Sequence, residues 1–322
     1  MKKNAFFLTV TASTCILASS AFAAIEIQTS YVGDYGNANG NANDSTGYGS
    51  VNYGYRVGTY EVTNSQYVSF LNATGSTNAH GLYNSNMYSS VHGGIQKSGI
   101  SGSFTYSVKG GMGEKAVNYV SFWDAARFTN WLTNGQGSGS TETGVYILTV
   151  DGGITNNTIT RNATAWDAGG VAVASENEWY KAAYYQPVGA SGDTDSYWLY
   201  PNASNSIMTA NANYANSGGT LTDVGTYSED GSYYGTFDQG GNVWEWNDTI
   251  VSYANRGLRG GAFINNGDGL KASRRDSYDP AYEGYNGGFR ASSLAPIPEP
   301  STYAAIFGGL ALAVATMRRS RS

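Results

Sequence analysis

Residues 240–246 read Gly-Gly-Asn-Val-Trp-Glu-Trp, and no regular period governs them. The apolar positions match neither the 3.6-residue repeat of an amphipathic helix nor the alternation of a half-buried strand. Two tryptophans flank Glu245, so rings and carboxylate take their places from tertiary context. Further on, residues 256–261 read Arg-Gly-Leu-Arg-Gly-Gly and residues 288–290 read Gly-Phe-Arg. Buried aromatic rings, a carboxylate and arginines among glycines describe a loop-rich interior, not a helical bundle.

Both ends of the chain carry separate signals. Residues 1–23 have the parts of a secretory signal: Lys2 and Lys3, an apolar run over 5–17, and Ala21, Phe22 and Ala23 before a cut at Ala24. A buried helix is the alternative. Three of the six prolines lie in Pro296, Ile297, Pro298, Glu299 and Pro300. They form a stiff linker ahead of an apolar stretch over 303–317, which Arg318, Arg319 and Arg321 close. The stretch is expected to enter the inner membrane with its arginines cytoplasmic.

The domain layout expected is a signal peptide at 1–23, a flexible lead-in at 24–52, one domain at 53–294 and a sorting segment at 295–322. Roughly 240 residues between the signals suit one globular unit. Loss of Lys2, Lys3, Arg318, Arg319 and Arg321 takes the basic count from 18 to 13 against 24 acidic residues. The resulting charge of about −11 argues against nucleic acid or anionic lipid as a partner. Cys15, the single cysteine, leaves with the signal peptide, so the mature body has no disulfide or thiolate ligand. His80 and His92 are its only imidazoles. With 43 glycines and 26 tyrosines, the body suits contact with sugars or proteins through flat amphipathic rings, although a general compositional bias of exported proteins is the alternative.

Three helices announce themselves by the same device. Thr63 with Gln66, Ser121 with Asp124, and Ser175 with Glu178 each form a capping box ahead of apolar positions. Behind them lie Tyr67, Phe70 and Leu71; Phe122, Ala125, Phe128 and Leu132; and Trp179, Ala182 and Ala183. Residues 53–59 and 144–150 are strand candidates and 158–165 a weaker one, while 135–140 and 189–196 are surface loops. Residues 31–52, rich in glycine, asparagine and serine, read as a flexible or edge-strand lead-in outside the core.

In order, Glu61-Val-Thr-Asn with Gln66 and Tyr67, Val117-Asn-Tyr-Val-Ser with Trp123, the 175–183 segment, 225–246, 256–261 and 288–290 resemble the formylglycine-generating enzyme (sulfatase-modifying factor) family. The resemblance covers most of 53–292 and departs from it at Val173 and Ala174, where the family usually has proline and threonine. It implies an α+β, C-type-lectin-like fold with few short helices, short strands and much ordered loop. The family's oxidase chemistry needs two cysteines that bind copper; the matching positions are Asn265 and Leu270, neither of which supplies a soft ligand to Cu(I). No copper and no catalytic residue are therefore expected. Histidine-held iron, used by relatives of this fold, is not expected of His80 and His92 in a glycine-rich loop.

The resemblance also implies Ca²⁺ at Asp238, Gly241, Val243 and Glu245, two side-chain carboxylates with carbonyls between them, as a hard cation requires. Glu245 as a buried acceptor of backbone donors is the alternative. It implies an exposed ligand-binding surface holding Asn265, Asn266, Asp268, Arg274, Arg275, Tyr278, Tyr282 and Tyr285, a composition suited to adaptable recognition. Arg274 or Arg275 could instead pair with a carboxylate inside the domain, and the tyrosine loop could be merely solvent-exposed. Arg259 and Arg290 are assigned structural roles.

The tail resembles the PEP-CTERM sorting signal, which implies recognition by an exosortase in a Gram-negative, exopolysaccharide-producing bacterium and cleavage near Pro298, Glu299 and Pro300. A permanent single-span anchor is the alternative. The reading is thus an exported, non-catalytic surface or matrix protein, with exopolysaccharide or a surface protein as ligand. Two others stand beside it: an active oxidase of protein cysteine, and a variable receptor of a diversity-generating element.

Overall fold

Short strands and capped helices alternate along the chain, with long ordered loops between them. The computed structural model describes residues 24–40, 47–150, 153–154, 158–187, 196–217 and 219–294. The expected signal peptide, the sorting segment and most of the 189–196 loop lie outside these. Among the described residues no helix is long and apolar enough to cross a membrane.

In chain order the elements are β1 (Thr29–Val32), β2 (Tyr55–Gly58), α1 (Asn64–Thr74), α2 (Asn86–Ser89), β3 (Ile95–Ser98), β4 (Thr105–Val108), α3 (Phe122–Thr133), β5 (Thr149–Val150), β6 (Gly153–Ile154), α4 (Ala163–Asp167), β7 (Val171–Val173), α5 (Glu176–Tyr184), β8 (Trp244–Ile250), β9 (Arg256–Arg259), a 3₁₀ turn (Gly267–Leu270), β10 (Asp276–Tyr278), β11 (Gly287–Phe289) and β12 (Ala291–Ser293). One four-stranded sheet runs β1-β2-β12-β7 and a second runs β10-β9-β8-β11, with two small hairpins beside them. The architecture is α+β.

All three capping boxes form. Thr63, Ser121 and Ser175 each accept the backbone N–H of the third helical residue, whose side chain accepts or reaches back to the cap. Two orphan amides per helix are satisfied in this way. Helix α3 is buried along nearly its whole length, because β7 and β8 pack on one side of it and α1 on another. The resulting interior is aromatic: Tyr67, Phe70, Phe128 and Trp131 meet with centroids 5.3–6.1 Å apart.

Several expectations change. The 240–246 run contains the start of a strand: β8 pairs with β9 on one side and β11 on the other. Its first four residues are buried, and a strand covered on both faces shows no alternation. Within 144–150 only β5 is strand; Val145, Tyr146 and Leu148 are buried without ladder pairing. Residues 158–165 contain no strand, since Asn162 caps α4 by accepting the Ala165 N–H. The lead-in supplies an edge strand, β1, but also reaches the interior through Val32 and Val51.

Two glycines show how closely backbone packs around β8. Gly241 has φ +88° and a Cβ there would meet Asn213 O at 2.2 Å; Gly260, at φ +97°, would meet Gln239 O at 2.5 Å. Only glycine fits such left-handed, crowded positions without strain.

Candidate functional site

Strand β8 carries a buried ion pair that organises the second half of the chain. Glu245 and Arg290 are both fully buried. Arg290 Nε donates to Glu245 Oε2 and Nη2 to Oε1, each at 2.6 Å, and Trp179 Nε1 adds a third bond to Oε2 at 2.8 Å. The same guanidinium donates to the carbonyls of Gly58 and Phe237. Arg259 pairs with one oxygen of buried Glu176, Nε donating to Oε1 at 2.8 Å, while Arg275 takes Oε2 at 2.6 Å. A bidentate fork with its remaining donors on carbonyls is the geometry that makes a buried ion pair tolerable. Arg259 and Arg290 are structural, as expected.

Around Glu245 the carboxylates outnumber the cations. Glu61 is buried, with Oε1 taking Asn242 Nδ2 at 2.9 Å and Oε2 lacking a partner. Burial, with Asp238 and Glu245 nearby, holds its carboxyl well above the usual range. Asp238, in a left-handed conformation at φ +59°, accepts Gly225 N–H at 2.6 Å and is pushed up to about 6 by burial. Three acids thus share one arginine. Among the described residues no group of three or more His, Cys, Asp or Glu converges as a metal site. A cation here would depend on Asp238 and the carbonyls of Gly241 and Val243. Glu245 could join them only while shared with Arg290, since a carboxylate has about four acceptor sites. The surplus of buried carboxyl groups over cations would suit a hard cation, which would favour their ionised form; the engagement of Glu245 limits that residue's part in holding one.

Asn265 and Leu270, the positions expected to match the oxidase cysteines, both pack within the domain. Asn265 Oδ1 accepts Ala262 N–H at 2.8 Å, and its carbonyl accepts Ala215 N–H at 2.6 Å. Leu270 is buried in the 3₁₀ turn against Tyr200, Ala212 and Tyr214. His92 packs between Phe263 and Tyr285, at 5.1 and 5.5 Å, with Nδ1 3.1 Å from Thr220 Oγ1. His80 lies apart, 3.6 Å from Glu142.

The expected ligand surface divides in three. Asn265, Asn266, Asp268 and Arg274 edge an open hollow of about 240 Å³, where Asp268 is tied to Lys271 at 2.6 Å. Arg275 is turned inward, donating to Glu176 at 2.6 Å and lying over Tyr48. Tyr278, Tyr282 and Tyr285 belong to a separate cleft of about 210 Å³. Its floor is Trp244, Trp246 and Leu258, and Asp276 and Asn286 supply its polar edges. Tyr278 and Tyr282 stack at 4.5 Å and 18°, yet remain 43 % and 42 % exposed. The tryptophans were legible as core and Asn286 closes the 278–286 stretch expected at the ligand surface, whereas Asp276 carried no sequence signal for this cleft; strand register brings it there.

The tyrosine loop is anchored from below. Phe122 N–H bonds Pro280 O at 3.0 Å, Tyr119 N–H bonds Gly284 O at 2.9 Å, and Asn118 Nδ2 bonds Tyr285 O at 2.7 Å. Glu283 accepts from Asn84 and interacts electrostatically with Asp124, the capping acid of α3. Two neighbouring acids disfavour each other's charged form. Burial, relieved in part by Ser121, pushes Asp124 up to about 7, and burial also raises Glu283. Arg161, another residue without a sequence signal, joins Glu178 at 2.7 Å to Asp248 at 2.6 Å beneath the opposite side of the core.

An α+β scaffold with short capped helices, buried arginine–carboxylate pairs on the glycine-rich strands and a tyrosine-lined cleft defines the class. The model of the sulfatase-modifying factor enzyme 1-like domain matches residues 36–293, and the chain belongs to that family. It is similar to the crystal structure of CarF, with 22 % identity over 83 % of this chain and 98 % of that one at a TM-score of 0.56. It is also similar to Treponema denticola variable protein 1, with 18 % identity over 84 % and 96 % of the two chains at a TM-score of 0.54. At these identities the likeness is one of fold. No curated protein matches the chain.

Proposed function

We propose that this is an exported, non-catalytic binding protein that uses a C-type-lectin-like, sulfatase-modifying-factor domain to hold an exopolysaccharide or surface ligand. The observation that carries the reading is the tyrosine cleft, an exposed stacked pair over a tryptophan floor, beside a loop whose oxidase positions are Asn265 and Leu270. A mature chain without a thiolate has no soft ligand for copper, which disfavours the oxidase alternative. The variable receptor gains support from the likeness in fold to variable protein 1 of Treponema denticola, but fold alone does not carry function.

Ca²⁺ is proposed as a structural ion at Asp238 with the carbonyls of Gly241 and Val243, Glu245 being shared with Arg290. Its support is the surplus of buried carboxyl groups over cations. The ion would supply positive charge to a loop with little regular pairing.

Export through residues 1–23, transient inner-membrane residence of 303–317 and cleavage by an exosortase-type enzyme near Pro298, Glu299 and Pro300 complete the proposal. One experiment tests destination and binding together. Protein recovered from the envelope or matrix of an exosortase-bearing strain should end near Pro300, and a Tyr278→Ala, Tyr282→Ala double variant should appear in the medium instead. Full-length tail on the surface-held protein, or unchanged retention of the double variant, would contradict it.

A further inference from the structure

We infer that the cleft between β8, β9, β10 and the tyrosine loop is a subsite for one neutral sugar ring, seated against Tyr282 with its hydroxyls on Asp276 and Asn286. The inference rests on the binding reading above and names its ligand class. Four observations lead to it.

The first is size. At about 210 Å³, the cleft falls below the roughly 300 Å³ at which drug-sized pockets begin. It suits a single six-membered ring more than an extended chain. The second is shape and surface. Stacking places the Tyr278 and Tyr282 rings nearly parallel, so each has one face covered by the other. Their remaining exposure is aromatic surface held open to solvent beside a buried tryptophan floor. A flat ring with a polar tip suits a ligand that is apolar on one face and hydroxylated at its rim.

Charge is the third. No lysine or arginine lines the cleft, and its one charged side chain is Asp276. A carboxylate accepts and does not donate. One Asp276 oxygen already takes the Ser277 N–H at 2.8 Å, and acceptor sites remain on the group. A ligand here must therefore offer O–H or N–H donors, and a uronate or sulfate would meet like charge at Asp276, the cation that acts on Tyr278 being Arg274, which is outside the cleft lining. This disfavours acidic polysaccharide.

The fourth observation bears on a proline-rich peptide, the other common guest of an aromatic groove. Such a peptide presents carbonyls and few N–H groups, so it uses donors and leaves acceptors idle. The Trp246 indole N–H is already committed to Val120 O at 3.0 Å; the tyrosine hydroxyls and the Asn286 amide are among the donors left to it, while the Asp276 carboxylate would lose water without gaining a donor. An amide at Asn286 with a carboxylate at Asp276 matches vicinal hydroxyls, which both donate and accept. The loop bearing the tyrosines is pinned to the start of α3 by backbone bonds at 2.9 and 3.0 Å, so little ordering is needed on binding.

The test titrates the purified full chain, followed by tryptophan fluorescence and by NMR, with the methyl glycosides of glucose, mannose and galactose, with glucuronate and with a proline-rich decapeptide. The expected result is saturable binding of at least one neutral glycoside and about tenfold weaker binding of glucuronate. Tyr282→Ala should weaken the neutral ligand about tenfold or more, and Asp276→Asn should narrow the gap to glucuronate. Unchanged melting of both variants checks that they fold. Tighter binding of glucuronate or the peptide than of every neutral glycoside, lost in Tyr282→Ala, would overturn the sugar assignment while leaving the cleft a binding site. Neutral-sugar binding that Tyr282→Ala does not affect would place the site elsewhere and overturn the inference. Absence of binding by all probes would overturn it too.

Discussion

Arg290 shows how much of this domain rests on single buried side chains. Its guanidinium joins Glu245 on β8, the carbonyls of Gly58 and Thr59 at the end of β2, and Phe237 in the loop before β8. Removal of one member leaves the other charged, buried and unpaired, which costs about 3–5 kcal/mol. Arg290→Ala should therefore lower unfolding stability by that order in denaturant titration. Glu245→Gln keeps the shape but removes the charge, and should also destabilise. A loss of under about 1 kcal/mol in either variant would show that water reaches the pair. The residue types were legible: Glu245 between tryptophans and Arg290 after Gly-Phe read as interior groups. Their partnership was not, because the pair spans 45 positions and neither sequence context names the other.

At the scale of elements, the three capped helices and the strand within 53–59, which is β2, were legible, and most other strands were not. A capping box is local chemistry, complete within four residues, so Thr63, Ser121 and Ser175 announced their helices. Strand β8 escaped because burial on both faces erases alternation. Residues 158–165 suggested a strand through their threonines and isoleucine, yet Asn162 starts a helix there. Asp124 has two tasks of which only capping was visible; its electrostatic interaction with Glu283 couples α3 to the tyrosine loop across 159 positions. That interaction has a pH signature. Asp124 is raised in the folded state to about 7 from an unfolded value of 3.8. The native protein then binds the extra proton between those values, so stability is greatest at low pH and falls as pH rises towards 7. Glu61 and Asp238, also raised, add slopes of the same sign. Glu178 is lowered, because Arg161 and the Ser175 amide outweigh its burial, and it acts oppositely only below about 4.5. Tyr67 and Arg127 also face Asp124, and Arg127 is engaged with Glu142 at 2.7 Å. Glu283→Gln removes the neighbouring acid. Its melting temperature should fall less than the wild type's between pH 5 and 7.5. Parallel curves would mean that the two acids do not interact.

For the whole molecule, the family was legible from six motifs in order, and the family match over 36–293 bears this out. The division of the ligand surface was not legible, since adjacent Arg274 and Arg275 face opposite ways and only the fold separates them. Charge balance across the domain gives the calcium prediction. An ion bound by the folded state alone stabilises it by about 2.7 kcal/mol at a hundredfold excess over Kd. Ca²⁺ should therefore raise the melting temperature, and Asp238→Ala should remove most of that rise. Identical melting in calcium and in chelator would mean that protonated Glu61 and Asp238, not an ion, balance the buried charge.

The central claim is that an oxidase scaffold here binds without catalysing, and the most direct measurement is turnover. Purified protein, supplied with copper and reductant, is incubated with a sulfatase-type cysteine peptide, and the products are read by mass spectrometry. The account predicts no conversion of cysteine to formylglycine above a control without protein, because Asn265 and Leu270 hold the proposed copper positions and Cys15 is the one cysteine of the sequence. Conversion above that control would contradict it.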